Sequence, residues 1–153
     1  MIAKPDLVHL CDLTVELAIP MELGDSPRGR RRIIPIVGGT VTGERLNGRI
    51  LNLGADWQTI LADGNAELDT RYSMETHDGA LIDIRNFGYR NGPPEVIAAL
   101  GRGEPVDPAL YYMRTHPRFE TGDSRYAWLN RMICVGTGAR QAAAVVVKVY
   151  EVR

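Results

Sequence analysis

The sequence predicts an all-β protein, a closed antiparallel β-barrel of about eight to nine strands with one short helix. Three observations carry that expectation. Apolar residues alternate with polar ones through most of the chain, the period of a half-buried strand. Turn signals, above all Asp63-Gly64 and Asp78-Gly79, separate the alternating segments at short intervals. Residues 38 to 57, GGTVTGERLNGRILNLGADW, hold five glycines inside strand-forming sequence, and glycine in a strand marks a bulge, a bend or a close approach of backbone.

In chain order, Leu7 to Leu17 is a first strand, with Leu7, Cys11, Leu13, Val15 and Leu17 on one face and Asp12, Thr14 and Glu16 on the wetter one. Pro20 to Arg30, with Gly24, Pro27 and Gly29, is expected as a loop. Ile33 to Thr42 and Arg45 to Leu53 follow as strands around Gly43-Glu44, and Asp56 to Leu61 as another. Asp63-Gly64 turns the chain into Glu67 to Thr76, and Asp78-Gly79 into Ala80 to Asn86; both pairs suit a type I′ turn. Pro93-Pro94, Glu95, a run of helix formers and Gly101 start and stop one helix over Pro94 to Leu100. Leu110 to Thr115 is a strand, and Tyr126 to Val135 pairs with Ala142 to Val149 across Gly136-Thr137-Gly138. A meander this long leaves exposed edges unless it closes, and the glycines supply the bends that closure needs.

The 153 residues read as one domain, residues 1–153, with a formal charge of −1 that gives no field for nucleic acid or an acidic membrane. Cys11 and Cys134 have no metal-ligand spacing and are expected as two free core thiols. Asp6 and Asp12 interrupt what would have to be the apolar part of a signal peptide, and Ala142 to Val147 is too short to span a bilayer. A soluble cytoplasmic protein is expected, with a homodimer formed through an outer barrel face.

The chain resembles the family catalogued as domain of unknown function 3237 over almost its whole length. The resemblance rests on Arg31-Arg32-Ile33-Ile34-Pro35-Ile36 with Gly38-Gly39-Thr40, on Gly54-Ala55-Asp56-Trp57, and on Tyr72 with Thr76, Asp78, Gly79 and Ala80. It continues through Asn86-Phe87-Gly88, Tyr112-Met113-Arg114-Thr115 with Phe119-Glu120, and Trp128-Leu129-Asn130. It implies a closed antiparallel barrel similar in outline to the allene oxide cyclase and dirigent barrels. The chain departs from the family pattern at Leu53, where proline often precedes the Gly54 element, and at Met113 and Cys134, where phenylalanine is common.

Few chemical motifs survive inspection. His9, His77 and His116 lack ligand neighbours, so no metal is expected. Gly136-Thr137-Gly138-Ala139-Arg140 opens no helix and therefore lacks the physics of a phosphate loop. Gly24-Asp25-Ser26 and Gly122-Asp123-Ser124 lie on no strand-to-helix elbow. The cluster Arg28, Arg30, Arg31 and Arg32 reads first as a solvated loop; the alternative is anion recognition, since Arg31 and Arg32 open a strand and arginine binds carboxylate bidentately.

Polar residues at strand positions are the stronger constellation. Asp56 beside Trp57 is expected to be partly desolvated, which raises a carboxylate's pKa toward a range useful for proton transfer. Arg114 and Tyr72 are candidates to stabilise an oxyanion, with Glu120 the reserve acid or base. Trp57, Tyr112, Trp128, Asn130, Met132 and Arg32 are the candidate substrate-binding residues. The expected function is cofactor-independent acid–base catalysis, a lyase or an isomerase or cyclase reaction on a small, apolar, aromatic or carbonyl-bearing metabolite inside the barrel. The alternative is a lipocalin-like carrier, for which the interior only fits a ligand. The two differ in whether a carboxylate at Asp56 faces the cavity.

Overall fold

The structure is a computed structural model that describes residues 1–153. Nine strands follow in order: β1 (Leu7–Leu17), β2 (Met21–Ser26), β3 (Gly29–Thr42), β4 (Gly48–Ile60), β5 (Ala66–Thr76), β6 (Leu81–Asn91), β7 (Tyr112–Glu120), β8 (Cys134–Arg140) and β9 (Ala144–Val152). Strands β3 to β9 form an antiparallel meander, and β1 pairs with both β9 and β3, which closes eight strands into a barrel. The ninth, β2, is a hairpin extension. It pairs with the first half of β3, at Gly29 to Ile33, while β1 takes the second half, at Ile36 to Thr42.

Two of the glycines of the 38–57 stretch sit where the sheet bends. Register slips between Pro35 and Thr40 in the β3–β4 ladder and between Ile50 and Gly54 in the β4–β5 ladder. Gly39 has φ +136° and Gly54 φ +145°, a backbone conformation that side chains disfavour. A Cβ at either would collide with a backbone carbonyl, that of Thr14 for Gly39 and that of Arg71 for Gly54.

Several expected elements need correction. The segment Pro20 to Arg30 contains β2 rather than being all loop. Arg45–Leu53 and Asp56–Leu61 are one strand, β4, bent near Gly54, because a bulge bends a ladder without ending it. Tyr126 to Val135 is mostly a 3-10 segment, Ser124–Arg131, started by the Asp123 carboxylate accepting from the Arg125 N–H; strand resumes at Cys134. Gly136-Thr137-Gly138 lies inside β8, and its glycines make room for the side chains of Thr115 and Met113; the turn falls at residues 141–143. The two Asp-Gly turns are not type I′. No residue other than glycine has positive φ, while Gly64 and Gly79 have φ of +85° and +90°. Each loop is a type I turn followed by a left-handed glycine, with the Leu61 N–H donating to the Asn65 carbonyl and the Thr76 N–H to that of Ala80.

The barrel interior is packed in one half. Leu13, Val41, Leu46, Met74, Ile82, Ile84 and Leu129 fill the end reached by the 3-10 segment. The expected helix, α1 (Pro94–Gly101), covers the other end, where Leu100, Val96 and Ile97 pack with Leu68, Tyr111 and Met113. Between these layers the interior is left partly open. Cys11 and Cys134 are buried free thiols, pushed by burial up to about 12 and about 11 respectively, so they stay protonated and unreactive. No helix is long and apolar enough to cross a membrane.

Candidate functional site

Strand β4 delivers the central groups. Beyond the bend at Gly54, Asp56 and Gln58 point into the barrel while Ala55 and Trp57 point out. Strand β6 carries Ile82, Ile84, Asn86 and Arg90 on its inner face; β5 adds Thr70 and Tyr72, β7 adds Met113 and Thr115, and β8 ends in Arg140. Val15, Leu17, Val145 and Val147 make an aliphatic wall. The enclosed space open to the centre of a water-sized sphere is about 50 Å³, which is room for more than one water or for the head of a small molecule.

A hydrogen-bonded chain fixes the carboxylate. The Asp69 backbone N–H donates to Asp56 Oδ1 at 3.0 Å and Gln58 Nε2 donates to Asp56 Oδ2 at 3.0 Å. Arg32 Nε in turn donates to Gln58 Oε1 at 2.7 Å, which fixes the orientation of the amide. Asp56 is 8% exposed. Burial pushes its pKa above the ordinary carboxylate value, opposed by the bonds from Gln58 and Asp69 and by the charges of Arg90 and Arg32. Arg90 is 6% exposed, and burial, with Arg140 and Arg32 nearby, lowers it to about 10, so it remains a cation at neutral pH. Burial lowers Arg140 and Arg32 as well.

Tyr72 Oη, Asn86 Oδ1, Thr115 Oγ1 and Arg90 Nε are buried without a hydrogen-bond partner. Burial raises the Tyr72 pKa, which keeps its hydroxyl protonated as a donor. The Asn86 side chain lies close enough to oppose that shift, though the two groups do not meet in hydrogen-bond geometry. Nowhere do three His, Cys, Asp or Glu side chains converge as metal ligands. The groups that can receive a ligand are guanidiniums, hydroxyls and an amide around one carboxylate, an arrangement that can hold an anion and move a proton.

Three of the sequence-predicted residues meet here: Asp56 and Tyr72 in the cavity, and Arg32 at its rim with a side chain 14% exposed. The others lie elsewhere. Trp57 borders an outer groove with Arg71 and Asp83, because strand alternation puts it opposite Asp56. Tyr112, Arg114 and Glu120 occupy the exposed face of β7, whose buried face is Met113, Thr115, Pro117 and Phe119; the Arg114 guanidinium stacks 5.3 Å from the Tyr112 ring centre. Trp128 is half-buried under Arg45, 4.0 Å away, and Met132 packs beside it against the filled half of the core. Asn130 is exposed and exchanges two 2.8 Å bonds with the Thr121 backbone. The 3-10 geometry of Ser124–Arg131 removes the strand alternation that would have aimed Trp128 and Asn130 inward.

Gln58, Arg90, Arg140, Asn86 and Thr115 are the site residues that sequence reading missed. The signal for two of them was strand parity: Ile82 and Ile84 mark an inner face that continues to Asn86 and Arg90. Gln58 likewise shares parity with Asp56.

Fold and site define a closed eight-stranded barrel with a polar, titratable pocket in one half. Residues 5–152 match the family described as "Protein of unknown function (DUF3237)", and the chain belongs to that family. The UPF0311 protein of Rhodopseudomonas palustris is 46% identical over 144 residues, 94% of either chain. The crystal structure of a Rhodopseudomonas palustris protein of unknown function superposes with a TM-score of 0.96 at 42% identity, over 99% of this chain and 100% of that one. A "beta-barrel like protein" of Acinetobacter baumannii gives 0.88 at 44% identity, over 100% and 99%. A crystal structure described as an enzyme from Penicillium herquei gives 0.75 at 18% identity, over 100% and 98%, a likeness of fold alone.

Proposed function

We propose that the protein is an acid–base catalyst, a lyase or isomerase, that acts on a small carbonyl-bearing metabolite held inside the barrel. Asp56 is the base. The observation that carries the reading is its position: a buried carboxylate with a raised pKa, anchored by Gln58 and Asp69, on the wall of a cavity that also presents unpartnered donors. A carboxylate whose pKa approaches the working pH is a more effective proton acceptor. The Tyr72 and Thr115 hydroxyls and the Arg90 and Arg140 guanidiniums stand where they can stabilise the oxyanion left when a proton leaves carbon. Gln58 and Arg32 position the base.

A carrier for apolar ligands gains nothing from a desolvated carboxylate and buried guanidiniums, so the interior favours catalysis over the lipocalin-like alternative. That the Penicillium herquei neighbour is described as an enzyme is in keeping with a barrel of this shape hosting a reaction. The reading places the protein in the cytoplasm, where its buried thiols stay reduced.

The test begins with a thermal-shift screen of carbonyl metabolites, since a ligand that binds the folded state raises Tm. With the substrate found, Asp56→Asn is expected to lower kcat by about 10²–10⁴-fold, the contribution of one positioned acid–base group, with a much smaller change in binding. A folded and fully active Asp56→Asn variant removes the base and the reading with it.

A further inference from the structure

Arg90 has no partner in the protein. Its side chain is buried, its Nε meets no acceptor and it forms no ion pair. The Asp56 charge acts on it only from beyond ion-pair distance; a buried guanidinium without a direct ion-pair partner is strongly unfavourable, and an anionic ligand supplies what is missing. The neighbouring groups do not. Arg32 Nε is engaged by Gln58 at 2.7 Å and Arg140 Nε by the Gln141 carbonyl at 3.0 Å. Asp56 is the only carboxylate among the cavity residues, and both its oxygens already accept bonds. Arg32 also lies 4.0 Å from the Glu22 carboxylate, so three guanidiniums against two carboxylates still leave an excess of positive charge, which focuses anions into a low-dielectric cleft.

Two further unmet donors line the same cavity. The Tyr72 and Thr115 hydroxyls are buried without acceptors, and a ligand carbonyl oxygen is a group that such donors can bind. The remaining walls are aliphatic, and the space is about 50 Å³.

We propose that the site takes a small oxo carboxylate, with its carboxylate on the Arg90 guanidinium beside Arg140 and its carbonyl oxygen toward the Tyr72 and Thr115 hydroxyls. This substrate class rests on the reading of Asp56 as the base. Asp56 takes a proton from the carbon next to the carbonyl. The C–H pair becomes the enolate C=C bond, and the carbonyl π pair moves onto oxygen. Return of the proton to carbon restores the carbonyl, with no outside reagent consumed. Throughout, the negative charge passes from Asp56 to the substrate oxygen and stays within the field of the three guanidiniums. Guanidinium binds carboxylate and phosphate alike, but the short carbon chain also meets the aliphatic walls, which inorganic phosphate cannot.

The experiment compares 2-oxobutanoate, the neutral 2-butanone and inorganic phosphate, each at about 10 mM, by thermal shift and calorimetry on the full chain. 2-Oxobutanoate is expected to raise Tm and to bind at least about tenfold more tightly than 2-butanone and more tightly than phosphate. Arg90→Gln is expected to abolish the preference for the acid. Equal binding of the neutral ketone, tighter binding of phosphate, no shift with the acid, or an acid preference that survives in Arg90→Gln each overturn the proposal. The comparison of ligands uses the unaltered protein, so it decides the question even if Arg90→Gln fails to fold. Solvent-deuterium exchange at C3 of 2-oxobutanoate, followed by NMR, separates this inference from the reading beneath it. Asp56→Asn is expected to bind the acid within about threefold and to lose the exchange. Tight, Arg90-dependent binding without exchange in the wild type removes the base and leaves the carboxylate site standing. Exchange of 2-butanone with no preference for the acid does the reverse.

Discussion

Asp56 makes the barrel less stable than it could be, and pH exposes that cost. Its folded pKa is raised, so the folded chain holds the proton more tightly than the unfolded chain does. The favourable contribution is complete below the unfolded value, about 3.9, and is lost as pH rises through the raised folded value. Wild type is therefore expected to lose Tm relative to Asp56→Asn as pH rises above about 4 and through the raised folded value; a Tm difference that is flat above about pH 4 places the carboxylate in water instead. The same shift sets the acid limb of kcat/KM above the ordinary aspartate range, readable from a pH profile. Trp57 carries the opposite expectation. It lies on the outer surface, so Trp57→Ala should leave turnover and affinity within about threefold of wild type. A large loss in binding would return the indole to the cavity wall. Asp56 was legible from its neighbours in sequence, but the side on which Trp57 lies was not, because composition is silent about which strand face is inside.

At the level of elements, the bends decide what faces the cavity. Gly54 lets β4 turn so that Asp56 and Gln58 face inward, and its φ of +145° and the nearby Arg71 carbonyl leave no room for a Cβ. Gly54→Ala is expected to cost at least about 1–3 kcal/mol, the range for a strained backbone conformation, measured by denaturant unfolding. An unchanged midpoint would mean that the bulge tolerates a side chain. Glycine density announced such bends; it did not say that Gly136 and Gly138 belong to a strand rather than a turn. There the cause is tertiary, since those glycines make room for Thr115 and Met113 side chains reaching across from β7. The 3-10 segment Ser124–Arg131 was misread for a related reason. Its alternation is that of a strand, yet Asp123 caps it and the finished barrel has no ladder position to offer it.

For the whole molecule, closure is the decisive event. Strand β1 must find β9, at the far end of the chain, as well as β3. Contacts so distant in sequence delay the reward for ordering the chain, so refolding is expected on the millisecond-to-second scale by stopped-flow tryptophan fluorescence. A sub-millisecond main phase would contradict a barrel that closes through its termini. By itself the sequence determined the all-β class, the antiparallel meander, the need to close, the single α-helix and the candidates Asp56, Tyr72 and Arg32, which meet at one cavity. These follow from local patterns: period two, turn residues, helix signals and the chemistry of individual side chains. Only the tertiary structure decided that Arg90 and Arg140 join Asp56, that Arg114 and Glu120 do not, and that one half of the barrel is filled while the other is left open. Convergence of residues from β3, β4, β6 and β8 depends on how much each strand twists, slips and bends before the sheet meets itself. Those are properties of the closed sheet, which no single segment carries.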